Sequence, residues 1–233
     1  MNKVKGNMYP FVGWTHNPIK AMRCPHQCIY CYLLPIMKRF GLDSTLKISE
    51  KDLQENLGLN KKIFVGSATD MFADNVSEEW ILRVLDQLYS YPTNQYLLQS
   101  KNPARFLDFL SHPLFVENTN NVIFCTTIES DMDHNGISKA PSIIERTVAM
   151  KTLSEAGSQT MITVEPIMRF TEPERFADML AAIRPMQVNI GANTARGIKL
   201  PEPTKAEVED LILALKERGV NVFLKSNISR ILG

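Results

Sequence analysis

Long apolar runs are missing from this 233-residue chain, and nothing in it approaches the length of a membrane span. The N-terminus, Met-Asn-Lys-Val-Lys-Gly-Asn, lacks the apolar core that a signal peptide needs. Net charge is nearly absent too. The 26 Lys and Arg face 25 Asp and Glu, a formal +1, so no global basic field advertises nucleic-acid binding. Cysteine is scarce, at four residues, and three of them crowd one short loop, a usage that fits a reducing compartment. No apolar strand runs into a Gly-x-Gly-x-x-Gly turn, which leaves dinucleotide binding unsupported. No repeat, low-complexity tract or linker divides the chain. One domain over residues 1–233 is expected, in the cytoplasm.

What is present is ordinary in bulk and uneven in detail. Hydrophobic residues make up 44% and charged residues 22%, as in a typical globular domain. Residues 1–62 carry ten Lys or Arg against four Asp or Glu. That basic end suits either an anionic substrate or an acidic electron donor, and a plain solvated surface explains it equally well.

From Ile63 onward, apolar strands alternate with amphipathic helices. Strands are predicted at Ile63–Ser67, Gln95–Ser100, Val122–Ile128, Thr160–Val164, Gln187–Gly191 and Asn221–Leu224, with a further one at Tyr9–Trp14. Ser77 caps a helix whose apolar face is Ile81, Val84, Leu85 and Leu88. Asn102-Pro103, the Ser142-x-x-Glu145 and Thr204-x-x-Glu207 capping boxes, and Thr171-x-x-Glu174 open others. Residues 49–57 read as a short extra helix. Strands separated by single helices imply a mostly parallel sheet. A partial (β/α)6-type barrel of six to seven strands fits the count.

The chemistry concentrates in Cys24-Pro-His-Gln-Cys28-Ile-Tyr-Cys31-Tyr32, a C-x3-C-x2-C run with Tyr30 before the last thiol. Three thiolates so close suit one soft metal centre better than disulfides. A cubane normally takes four cysteines, so three would leave one iron open. The competing reading is zinc, completed by His16, His26 or Cys125, in a non-catalytic module that binds nucleic acid. Zinc sites usually pair their ligands across a long gap, and no second pair exists here.

The spacing together with the aromatic resembles the signature of the radical S-adenosylmethionine (SAM) superfamily. That resemblance implies a partial barrel in which Cys24, Cys28 and Cys31 hold a [4Fe-4S] cluster. SAM would chelate the fourth iron and be cleaved reductively to a 5′-deoxyadenosyl radical. It also implies an external one-electron donor of the flavodoxin or ferredoxin type. Within the superfamily the chain is similar to the spore-photoproduct-lyase-like branch, through the cluster loop, Ser67-Ala-Thr-Asp70, Ser100-Lys101, Glu145-Arg146 to Gly157 and Val164-Glu-Pro-Ile167. It is equally similar to a phage-associated radical SAM family sharing the Trp14-Thr-x-Asn-Pro18 entry. The lyase-branch resemblance and the basic N-terminal part point to a nucleic-acid or nucleotide substrate. The photoproduct lyases place a hydrogen-donating cysteine just after the second strand, where Ser67 stands here. A serine O–H bond is too strong for that role, so thymine-dimer repair by that route is not expected.

Side-chain parity sorts the strand residues. Cys125, Thr127 and Glu129 share one face, as do Thr163 with Glu165, Asn189 with Gly191, and Gln99 with Lys101. The polar face grows toward the C-terminal strand ends, where barrels of this kind build their sites. Burying such groups unpaired costs about 1–3 kcal/mol each, so a polar ligand, water or an internal network must meet them. Under the resemblance, Thr69, Asp70, Ser100, Lys101, Thr127, Glu129 and Asn189 are the candidates to hold SAM, with Asp70 at its ammonium and Lys101 at its carboxylate. Tyr30 would pack near the adenine, and Glu165 would sit beside the substrate. Cys125 is either a relocated hydrogen donor or a small buried hydrophobe.

Overall fold

The computed structural model describes residues 1–4, 8–20, 24–40 and 45–233, with the side chains of residues 36–38 and 40 left aside. The first elements in chain order are β1 (Asn2–Lys3), β2 (Trp14–His16), β3 (Ile19–Lys20), α1 (Leu33–Phe40), β4 (Lys47–Ile48) and α2 (Glu50–Leu53). Then come β5 (Lys62–Val65), α3 (Glu78–Tyr89), β6 (Gln95–Gln99), α4 (Pro113–Glu117), β7 (Val122–Thr127) and α5 (Ile143–Glu155). The chain closes with β8 (Gln159–Val164), α6 (Pro173–Ala181), β9 (Gln187–Ile190), α7 (Lys205–Glu217), β10 (Val222–Leu224) and α8 (Ser229–Leu232).

Eight strands form one sheet in the order β1-β2-β5-β6-β7-β8-β9-β10, while β3 and β4 make a separate ribbon. Within the eight-stranded sheet all pairings from β2 to β10 are parallel and only β1 runs antiparallel to its neighbour, while the β3–β4 ribbon is antiparallel. Helical segments between successive strands of the sheet supply the crossover that a parallel neighbour requires. The strand order starts at β1 and stops at β10. The pairing describes a mostly parallel α/β sheet of eight strands, where six to seven were expected.

The helices cover one face of the sheet. Leu98, Phe124, Ile162, Val164, Val188 and Ile190 point into a buried core shared with Leu85, Met150, Leu180 and Leu211 from the helices. Aromatics thicken it, with Phe72 and Phe106 edge to face at 4.6 Å and Phe115 against Phe124 at 5.0 Å. Each such ring contributes about 1.5–3 kcal/mol of burial. The opposite face carries a smaller apolar cluster of Phe64, Leu97, Cys125 and Met161, closed by Tyr9 and Val12. Register then stacks the inner face in rows. Gln99 pairs with Cys125 and Met161 in one, and Thr127, Thr163 and Asn189 lie side by side in the next. An apolar floor thus gives way to a polar rim.

Several local expectations shift. The strand placed at Tyr9–Trp14 begins only at Trp14. Tyr9 to Val12 form a turn closed by Val12 N–H on the Tyr9 carbonyl (3.0 Å), and Pro10 has no N–H to give a ladder. The helix over 49–57 shrinks to the single turn of α2, capped by Ser49. After Asn102-Pro103 comes a 3-10 run, Pro103–Phe109, which Asn102 does not cap. Its amide bonds the Phe72 carbonyl (3.3 Å) and Asp74 (2.7 Å) instead. Thr171 bonds Asp131, and α6 starts after Glu172 with no side-chain cap. Both capping boxes, at Ser142 and Thr204, form as read.

Candidate functional site

The cysteine loop lies between the β3 strand and α1, above the C-terminal ends of β5, β6 and β7. Two tight turns shape it, closed by Gln27 N–H on the Cys24 carbonyl (3.2 Å) and Cys31 N–H on the Cys28 carbonyl (3.1 Å). All four cysteines are free. Each of the three loop sulfurs meets hydrogen-bonding groups. The backbone N–H groups of His26 and Asp70 favour the charged form of Cys24, and those of Leu33 and Leu34, at the start of α1, do the same for Cys31. Cys28 Sγ lies 3.1 Å from the Ser138 hydroxyl. Burial, aided by the Asp70 charge, pushes the Cys24 thiol up to about 12, and burial raises Cys31 as well. As bare thiols they stay protonated, and a coordinating metal is what would remove those protons.

Among the described residues, no three His, Cys, Asp or Glu side chains converge as a cage for a single ion. A cubane does not demand such convergence, because each thiolate takes a different iron. Three sulfurs on one loop, each facing a donor, fit that donor set. The candidates for a fourth protein ligand are engaged elsewhere. His16 is buried against Gln87 of α3 (2.9 Å), and His26 Nε2 pairs with Asp70 (2.8 Å). Cys125 is fully buried in the apolar cluster.

Asp70 gathers this region. Its Oδ2 accepts from His26, from the Ser100 hydroxyl (3.0 Å) and from the Lys101 N–H (2.8 Å), while Oδ1 takes the Phe72 N–H (3.0 Å). Asp70 and Ser100, both candidate SAM contacts, therefore serve each other across the ends of β5 and β6. Thr69 is buried beside them. Asn17, from the Trp-Thr-x-Asn-Pro entry, holds the same loop from below, accepting from Ala68 N–H (2.8 Å) and the Ser67 hydroxyl (3.2 Å). Tyr32 donates to the Ser67 carbonyl (2.7 Å).

Glu129, just past β7, anchors a second network. Its Oε1 accepts from Tyr30 and Lys101, and its Oε2 accepts from Arg146 of α5 (2.8 Å). The Lys101 ammonium also stands 4.7 Å over the Tyr30 ring. Burial opposes the charge on Glu129, yet Lys101 and Arg146 outweigh it and hold the carboxyl down at about 2. Burial and then the Glu129 charge push the Tyr30 phenol well up. Tyr30, Lys101 and Glu129, expected at the cofactor, are thus in mutual contact.

Across the sheet, Glu165 follows β8. It pairs with Lys225 (2.5 Å) and takes an amide N–H from Asn227 (2.7 Å). Gly191 makes room for it, since a β-carbon there would stand 2.8 Å from Glu165 Oε1 and 2.9 Å from Asn227 Oδ1. Lys225 lies 4.9 Å over the Tyr9 ring. Among the described residues, the buried Asn227 Oδ1 and Thr163 hydroxyl find no hydrogen-bond partner. Thr127 accepts from Gln99 (3.3 Å), and Asn189 is buried, bonded to the Ile162 carbonyl (3.2 Å) and to Gln187 (2.7 Å). Asn189 therefore spends its amide inside the sheet. Cys125 shares the face of Thr127 and Glu129 as parity indicated, but it sits in the floor rather than the rim.

Four residues escaped the sequence reading as site groups: Arg146, Ser138, Lys225 and Asn227. Arg146 carried a signal, because it falls on the buried stripe of α5 with Ile143, Met150 and Leu153. A charge on such a stripe needs a buried partner. Lys225 shares parity with Phe223 beyond the last strand. Ser138 and Asn227 lie in irregular backbone and carried none.

The arrangement is that of a parallel α/β sheet protein with its polar groups gathered at the C-terminal strand ends. A family model described as "Protein of unknown function (DUF5131)" matches residues 10–166, more than half of the chain, and the chain belongs to that family. No curated protein matches it. Among solved structures, a cysteine-to-serine mutant of spore photoproduct lyase is similar with a TM-score of 0.64 at 12% identity, over 96% of this chain and 79% of that one. A double mutant of the same lyase with bound AdoMet and dinucleoside spore photoproduct gives 0.64 and 12%, over 94% and 78%. The lyase complexed with dinucleoside spore photoproduct gives 0.62 and 13%, again over 94% and 78%. At such identities the likeness is one of fold.

Proposed function

We propose that this protein is a radical SAM enzyme. The observation carrying the reading is that Cys24, Cys28 and Cys31 share one loop with a hydrogen-bonding partner at each sulfur, while His16, His26 and Cys125 are committed elsewhere. A structural zinc site would need a fourth protein ligand. A cubane used catalytically needs an open iron instead. The similarity in fold to a lyase solved with bound AdoMet supports the same reading.

In it the three cysteines hold a [4Fe-4S] cluster, which when bound supplies the electron that cleaves SAM. Lys101 and Arg146, both held in place by Glu129, present positive charge beside the loop, suited to the methionyl carboxylate. Asp70 orders the loop from the other side. Tyr30, inside the cysteine loop, supplies an aromatic wall. The rim around Glu165, Lys225 and Asn227 faces the substrate, and its Asn227 Oδ1 and Thr163 hydroxyl, unpartnered among the described residues, await groups from a polar ligand such as a nucleotide. An external one-electron donor completes the system.

The test is anaerobic reconstitution with iron and sulfide, followed by dithionite and SAM and an assay for 5′-deoxyadenosine. Product that vanishes with Cys28→Ala is the expected result. A chain that takes up zinc and no cluster overturns the proposal.

A further inference from the structure

The segment between β7 and α5 grips the cysteine loop from outside the cysteine motif. Ile29 N–H donates to the Ile137 carbonyl (3.0 Å), and Lys139 N–H donates to the His26 carbonyl (2.6 Å). Between these two bonds sits Ser138. Its hydroxyl has two acceptors in reach, Cys28 Sγ at 3.1 Å and the His26 carbonyl at 3.2 Å, and it accepts the Ala140 N–H at 3.1 Å.

A hydroxyl has one proton, so it serves one acceptor at a time. With Cys28 as a thiol, the S–H donates to Ser138 Oγ and the Ser138 O–H goes to the His26 carbonyl. With Cys28 as a thiolate, the sulfur has no proton to give and needs a donor. The Ser138 O–H then rotates onto Sγ without movement of any heavy atom. The His26 carbonyl is not orphaned by that rotation, because Lys139 N–H remains on it. Ser138 Oγ therefore stands where it can give a hydrogen bond to Cys28 Sγ with every heavy atom left in place.

We infer that Ser138 is a positioning residue for the metal-bound form of the loop, donating its hydroxyl proton to the Cys28 thiolate. This rests on the reading of the cysteines as cluster ligands. Hydrogen bonds to cluster sulfurs stabilise the extra electron of the reduced state, so they raise the reduction potential. Loss of this one moves the potential downward.

The experiment compares the wild type with Ser138→Ala and Ser138→Thr after reconstitution with iron and sulfide. Iron per chain and the midpoint potential are read, the latter by electron paramagnetic resonance during a dithionite titration. The expected result is a more negative midpoint for S138A, or a loss of iron from it, with S138T restored toward the wild type because its hydroxyl is kept. A wild type that loads its cluster alongside an S138A chain of equal iron and equal midpoint overturns this inference alone. So does an S138T chain that tracks S138A. A wild type that takes no cluster overturns the functional reading, and this inference with it.

Discussion

Glu129 holds a full charge where solvent barely reaches it, and at the scale of single residues the rim depends on that charge. Lys101 and Arg146 keep the carboxyl ionised down to about pH 2 against the cost of burial. The sign of the linkage follows. A carboxyl whose folded pKa lies below its unfolded value, 4.5, contributes stability that is complete above that value. The contribution is lost as pH falls toward the folded value. Glu129→Gln leaves two cations without their partner and is expected to cost about 3 kcal/mol at neutral pH. Urea unfolding at a series of pH values should show the gap between wild type and variant closing between pH 4.5 and about 2. A gap that stays constant through that window would falsify the account. His16 works in the same direction at milder pH. Burial lowers its pKa, so protonation below the ordinary value of 6.5 destabilises the fold.

At the scale of elements, two capping boxes carry different weight for the site. Ser142 starts α5, which brings Arg146 to Glu129, whereas Thr204 starts α7 on the covered face of the sheet. Replacing either cap with alanine removes the same kind of bond and is expected to cost about 1 kcal/mol. Only Ser142→Ala should also loosen the rim. Amide exchange at Thr127 to Ser130 ought to quicken in that variant and stay unchanged in Thr204→Ala. Equal exchange in both would show that α5 does not hold Glu129 in place. These caps were legible in the sequence because a capping box is local, closed within four residues. The inner-face parity of Thr127, Glu129, Thr163 and Glu165 was legible for a similar reason, since a strand fixes its alternation residue by residue. β1 was not, being two residues long and defined by its pairing with β2. Ser138 was beyond reach as well, because its contact with Cys28 spans 110 positions and depends on tertiary packing. Arg146 lay between these cases. Its place on an apolar stripe was visible, but its partner was not.

At the scale of the whole molecule, the loop of cysteines is held by three segments distant in sequence. Asp70 comes from the end of β5, Glu129 from the end of β7, and Ile137 to Lys139 from the approach to α5. All three reach the loop together only when the sheet is assembled. An unfolded chain offers SAM no such constellation. A ligand that binds the folded state and not the unfolded one raises stability by mass action, by about 2.7 kcal/mol at a hundredfold excess over Kd. For a chain of this size, that corresponds to a rise in Tm of roughly 5–10 °C. The rise should appear in cluster-loaded wild type under anaerobic scanning calorimetry. It should shrink in Glu129→Gln, where Lys101 and Arg146 are no longer ordered. It should disappear in Cys28→Ala, which retains the sheet but not the full set of ligands. Saturating SAM that leaves the loaded wild type unmoved would mean that the strand-end rim does not bind it, whatever metal the cysteines hold.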